Sequence, residues 1–195
     1  MALGNNNLTR DDLTSYFNLL GKRLFKKGII SEIAIYGGSA LTLQYSFRES
    51  SQDIDYLPIS QDTSILRGEI EAIGSEASLS DDWFNTAIED VVEEQHYSFY
   101  GDFPQENSGL RVFVADSKYI LSMKMLSMRS ALDSSDPFDI WNLMKDAGIK
   151  TIEEAKTLVS EYYPGKVLPR RNELIIDDML DAIRNDEDYN KMLGM

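Results

Sequence analysis

The chain has 195 residues, 43% of them hydrophobic, and a net charge of −14. That length and apolar content suffice for a sizeable core, and the absence of cysteine removes disulfide frameworks and thiolate chemistry from consideration. The negative field opposes polyanions at long range, so non-specific nucleic-acid binding is disfavoured, whereas a cation or a basic partner suits it.

Residues 1–7 read as a loose tail. Leu13, Phe17, Leu20 and Leu24 recur on one face and predict a helix over residues 9–27, stopped at Gly28. A short apolar, β-branched run predicts a buried strand over 32–36. The sequence then opens a helix, residues 39–47, directly from Gly37-Gly38. A strand is expected over 53–57, a helix over 63–77 and another over 82–92. Two strands follow, over 97–100 and 111–114, joined by the turn-rich "GDFPQENSG".

From there the pattern is helical. "DSKYILSMKMLSMRSAL" predicts a helix with Asp116 as N-cap, and Met123, Met125 and Met128 read as core filling. "DPFDIWNLMKDAG" predicts a second, with Asp136 as cap, Pro137 in the first turn and Gly148 at the stop. "TIEEAKTLVSEYYPG" carries the Thr151–Glu154 capping box, and an amphipathic helix is expected over 171–184. A mixed α/β first half, residues 1–115, thus precedes a helical second half, residues 116–195. No cationic start leads into an apolar run, and no apolar stretch approaches the ~20 residues of a membrane span. A soluble, cytoplasmic protein is expected.

Two elements carry chemistry. A strand running through a Gly turn into a helix exposes backbone N–H groups at the positive end of the helix dipole, which suits a phosphate. Gly37 and Gly38 let a ligand approach the backbone, and Ser39 adds a hydroxyl or simply caps the helix. Thirteen residues separate Ser39 from Asp53, and Asp55 follows. Two apart on a strand, their Cα atoms would lie ~6–7 Å from each other on one face. Carboxylates so placed repel unless a cation sits between them, and Mg²⁺ commonly takes one or two carboxylates plus substrate phosphates. A solvated strand end is the plainer reading of the same pair. Arg48, in the loop ahead of the pair, either positions phosphates or solvates the loop.

The segment "GGSALTLQYSFRESSQDID" resembles the Gly-Ser and Asp-x-Asp signature of the nucleotidyltransferase superfamily. "LRVFVADSKYILSMKMLSMR" followed by "DSSDPFDIWNLMKDAGI" resembles the AbiE-type and MenT-type toxin nucleotidyltransferases and their bacterial relatives. The resemblance implies a nucleotidyltransferase-like small mixed sheet with flanking helices and a C-terminal helical lobe. It implies an enzyme that moves an NMP from an NTP to an RNA, protein or small-molecule acceptor, with Mg²⁺ or Mn²⁺ on Asp53 and Asp55. Gly37, Gly38, Ser39 and Arg48 would bind the nucleotide, Lys124 and Arg129 its phosphates, and Asp136 or Asp139 would support the site. An antitoxin or other protein is the partner it implies, while the net charge disfavours an RNA acceptor.

The chain departs from the pattern in two ways. The gap from Ser39 to Asp53 is longer than these toxins usually show, and a third carboxylate is not assigned, Asp102 and Asp116 both being candidates. A nucleotide-sensing module without turnover, or a protein-interaction module, fits the same residues. The bland readings stand beside these roles: Lys124 snorkelling from a Met-rich face, Asp136 capping, and Asp139 completing a capping-box-like pair. His96, with no second His or Cys, reads as a strand residue rather than a zinc ligand.

Overall fold

The computed structural model describes residues 7–60, 63–92, 95–130 and 134–192. It combines a mixed β-sheet with eight α-helices among the described residues, and divides into two compact units, Met1–Asp116 and Ser117–Met195. Of the expected tail, residues 1–6 lie outside the described residues.

The first unit begins with β1 (Leu8–Thr9) and α1 (Arg10–Lys26). Thr9 caps α1 in a capping box with Asp12, and Leu13, Phe17, Leu20 and Leu24 form its buried stripe, as the periodicity predicts. Then come β2 (Ser31–Ile35), α2 (Gly37–Gln44), β3 (Ser50–Ser51), β4 (Ile54–Pro58), α3 (Ser64–Ala77), β5 (Phe84–Asn85), β6 (Tyr97–Phe103) and β7 (Leu110–Ala115). Five strands make one sheet in the order β5-β4-β2-β7-β6. β2 runs antiparallel to β4 and parallel to β7. β5 is parallel to β4, β6 is antiparallel to β7, and β1 pairs with β3 separately.

This connectivity decides where loops emerge. The C-terminal ends of β2 and β7 and the N-terminal end of β4 lie at one end of the sheet. Ile33, Ile35, Ile54, Val112 and Val114 are buried on the strands, and Phe17 of α1 meets Phe84 and Phe103 edge-on. Backbone contact, not side chains, fixes how α1 crosses the β6–β7 hairpin. A methyl built on Gly21 would lie 1.8 Å from the Phe103 carbonyl oxygen, and one on Gly109 would lie 2.3 Å from the Gly21 oxygen. Arg10 Nε donates to the Thr42 carbonyl at 3.0 Å and Gln44 Nε2 to that of Ala115 at 3.2 Å, so α2 is tied at its C-terminal half to α1 and β7.

The expected helix over 82–92 is not formed. Its first part is β5, with Phe84 opposite Ile54 and Asn85 opposite Asp55, and Ile54 N–H donates to the Trp83 carbonyl at 2.8 Å. An open strand edge at β4 offers hydrogen bonds that outweigh the local helical preference. β6 runs three residues further than its pattern suggests, with a register shift between Phe99 and Gly101 that continues the ladder to Phe103.

The second unit is helical: α4 (Ser117–Ser127), α5 (Asp136–Ala147), α6 (Ile152–Tyr162), α7 (Arg170–Arg184) and a final turn, α8 (Tyr189–Met192). α4 packs on α5, α6 and α7. Tyr119 stacks on Tyr163 with ring centroids 5.2 Å apart, and Met123, Met125 and Met128 are buried as filling. Asn172 Nδ2 donates to the Met125 and Leu126 carbonyls, occupying groups that the end of α4 would leave without partners. The Thr151–Glu154 capping box forms, and Gly148 ends α5 in the left-handed conformation. The expected continuation of α4 towards Leu132 partly lies at 131–133, outside the described residues, and the helix itself stops at Ser127. No helix among the described residues is long and apolar enough to cross a membrane.

Candidate functional site

The site begins at the turn from β2 into α2. Tyr36 is the N-cap residue in extended conformation, and its N–H donates to the Asp55 carbonyl at 2.9 Å, one step beyond the Ile35–Tyr56 pair of the β2–β4 ladder. Gly37 follows with φ +60°, a left-handed backbone that disfavours side chains. It must also be bare for a second reason: a methyl there would stand 2.5 Å from Asp55 Oδ2. The Gly37 backbone therefore packs directly on the Asp55 carboxylate.

Gly38 is enclosed from the other side. A methyl at Gly38 would lie 2.8 Å from Ser51 Oγ and 3.2 Å from Arg48 Nη2. A guanidinium and a buried hydroxyl thus rest against the first turn of α2, which brings Arg48 to the predicted cradle. Ser51 carries no mark in the sequence, since nothing in "RESS" distinguishes one serine from the other. Ser39 is fully buried, and its hydroxyl donates to the Tyr36 carbonyl at 3.0 Å. Its side chain is therefore not an N-cap acceptor. Its hydroxyl hydrogen is spent within the turn, while its backbone N–H belongs to the helix start, where intrahelical acceptors are lacking.

Asp55 lies on β4 and is half-buried, whereas Asp53 sits in the bend just ahead of the strand, also half-buried. The expected strand thus starts one residue late. The two acids bracket Ile54, the buried first residue of β4, with a half-buried position on either side. Asp102 accepts from Arg111 Nε at 3.2 Å, and Arg111 also donates to Glu32 at 3.0 Å, a cross-strand ion ladder near the opposite end of β7. Asp116 is exposed just past β7, where its N–H donates to the His96 carbonyl. His96 precedes β6 rather than lying in it.

The chemistry of this end of the sheet is mixed in sign. The Asp55 carboxylate lies against Gly37 and the Arg48 guanidinium against Gly38, at the first turn of α2. Asp53 and Asp55 offer the hard oxygen ligands that Mg²⁺ or Mn²⁺ takes, and the bare backbone at Gly37 and Gly38 lets the Asp55 carboxylate and the Arg48 guanidinium close on the helix start. The carboxylate donors therefore fit a divalent cation.

In the helical unit, the remaining predicted residues meet one another. Lys124 Nζ lies 2.6 Å from Asp136 Oδ1 and 3.1 Å from Asp139 Oδ2. Asp136 Oδ2 accepts from Arg129 Nε at 3.0 Å and from the Arg129 backbone N–H at 3.2 Å. Lys124, Asp136 and Asp139 are buried, Asp139 completely, while the Arg129 side chain is 71% exposed. Burial pushes the Asp136 carboxyl up, but the hydrogen bonds from Arg129 and the charge of Lys124 outweigh it and hold the group well below the usual carboxylate range. Lys124 is therefore not snorkelling. Asp136 is the first helical residue of α5, after Ser135, and its carboxylate binds Lys124 and Arg129 instead of capping. Asp139 reaches Lys124 and completes no capping box.

Comparison with known proteins places little around this geometry. The chain is 24% identical over 154 residues to an uncharacterised protein of Aquifex aeolicus strain VF5, covering 73% of this chain and 71% of that protein. No family model matches the sequence, and no solved structure matches the fold.

Proposed function

We propose that the chain is a metal-dependent nucleotidyltransferase whose nucleotide site lies at the β2–α2 turn. The observation that carries this reading is the packing of the Gly37 backbone on the Asp55 carboxylate. It puts an anion-seeking helix start and a cation-seeking carboxylate at one place, a juxtaposition that a phosphate and a divalent cation together satisfy. Asp53 and Asp55 would hold the cation, and the half-buried backbone of Gly38 would meet the β- and γ-phosphates, while the fully buried Ser39 supports the turn from beneath. Arg48, already against Gly38, would add a guanidinium to the same oxygens. When bound, the metal ion supplies Lewis-acid neutralisation of charge at the transferred phosphoryl group.

Lys124 and Arg129 enter this reading through the sequence resemblance. Two of the three Lys124 N–H donors face Asp136 and Asp139. Asp136 holds the Arg129 guanidinium by Nε. Attack by an acceptor hydroxyl on the α-phosphorus would release pyrophosphate and leave the NMP on the acceptor oxygen.

The test is incubation with each labelled NTP, Mg²⁺, and total RNA or protein extract. Wild type transfers label. Asp53→Ala, Asp55→Asn and Gly37→Ala each lower transfer by about a hundredfold or more. Wild-type activity in Asp53→Ala overturns the assignment. Mg²⁺-dependent NTP binding without pyrophosphate release converts the reading to a nucleotide sensor.

A further inference from the structure

A cavity of about 600 Å³ opens in the α/β unit between α3 and β5. Its size lies in the range of small-molecule sites. The wall residues sort by burial. Tyr56, Ile70, Trp83 and Phe84 are buried and form the floor. Arg67, Glu71 and Asp81 are exposed and stand at the rim. The floor is built, not incidental. A methyl on Gly74 would lie 2.4 Å from Trp83 Nε1, so the bare helix backbone is what admits the indole edge beneath α3.

The rim is charged in a definite pattern. Arg67 and Glu71 are four apart on α3 and share a face. Burial pushes the Tyr56 phenol up and the neighbouring Arg67 guanidinium opposes it, so the cation and the buried ring stand side by side in the cavity wall. Among the described residues no ion pair joins Arg67 to Glu71 or to Asp81. A simple anion would meet two carboxylates, and a simple cation would meet the guanidinium. A ligand carrying both charges meets neither difficulty, and an apolar body would cover the buried rings.

We infer that this cavity binds a small zwitterion with an apolar side chain, a free amino acid being the class that fits. Its carboxylate pairs with Arg67, its ammonium lies between Glu71 and Asp81, and its side chain rests on Ile70, Trp83 and Phe84. The site stands apart from the nucleotide reading, and its test needs no nucleotide.

The probes are L-leucine and L-phenylalanine, their amides, and the matching acids that lack the amine. Binding is read by calorimetry and by Trp83 fluorescence in a Trp141→Phe background. At least one free amino acid binds at or below about 10 mM, and its amide and its amine-free analogue bind about tenfold more weakly or worse. Arg67→Ala and the double variant Glu71→Gln/Asp81→Asn each weaken binding by about tenfold or more. These three residues are exposed, so the variants stay folded. Absence of binding at about 10 mM overturns the proposal, as does unchanged affinity in Arg67→Ala. An amide that binds as well as its free acid also overturns it and reassigns the cavity to a peptide N-terminus.

Discussion

Lys124 sits between two buried carboxylates, and its removal is the sharpest test of the helical unit. Lys124→Met keeps the stem and deletes the ammonium. Asp136 retains Arg129, but Asp139 is completely buried and loses the cation 3.1 Å away. Breaking a buried ion pair from one side costs about 3–5 kcal/mol, because the surviving charge stays desolvated. Asp136→Asn is the informative contrast. Lys124 then keeps Asp139, and Arg129, being mostly exposed, loses little, so the cost is about 1–3 kcal/mol, the scale of hydrogen bonds to charged groups. Denaturant unfolding at neutral pH measures both. Trp141 lies buried on α5 and, in a Trp83→Phe background, is the sole tryptophan and reports on this unit. The ordering is the prediction: Lys124→Met is the more damaging. Equal losses, or a cost for Lys124→Met below about 1 kcal/mol, would refute the view of the ammonium as the neutralising centre of the cluster.

The Asp136 carboxyl gives the cluster a pH signature. Its folded pKa is depressed, so its contribution is present above the unfolded value near 3.9 and fades as pH falls towards the folded value. The stability gap between wild type and Asp136→Asn should be flat from about pH 7 to 5 and shrink below about pH 4; a gap that widens on acidification contradicts the depressed pKa. Two glycines separate backbone crowding from helix propensity. Gly21→Ala pushes a methyl into the Phe103 carbonyl and should cost about 3 kcal/mol or more, while Gly68→Ala, on open helix surface, should stabilise by about 0.4–1 kcal/mol in thermal melts.

What the sequence disclosed was whatever repeats or closes locally. The stripe of α1 is a 3.6-residue period, and the Thr151–Glu154 box spans three residues, so both could be read from neighbours alone. The misread stretch was residues 82–92. Its composition suits a helix, yet the ladder edge of β4, some thirty residues away in the chain, captures Phe84 and Asn85. The site divides in the same way. Gly37, Gly38, Asp53 and Asp55 stood out as residue types in a pattern. That Ser51 and Arg48 close on Gly38, or that Ser39 spends its hydroxyl on Tyr36, depends on how the loop returns to the helix. Asp136 shows the limit most directly. Beside Pro137 it had every local mark of a cap, and its true partner, Lys124, lies twelve residues back on another helix.

The β2–β4 ladder also bears on how this chain can tolerate insertions. The bond from Tyr36 N–H to the Asp55 carbonyl fixes the acid opposite Gly37, whatever the number of residues in between. Residues 45–49 lie outside any helix or strand and can lengthen or shorten without changing that partner. Closure entropy opposes such changes only weakly, at about 0.6 kcal/mol per doubling of loop length. A slip of one residue in β4 is a different matter. It would bring Ile54 or Tyr56 to the turn and rotate the acid to the other face of the sheet. The stretch between Ser39 and Asp53 can thus vary in length without moving Asp55 from Gly37, provided the strand register is kept.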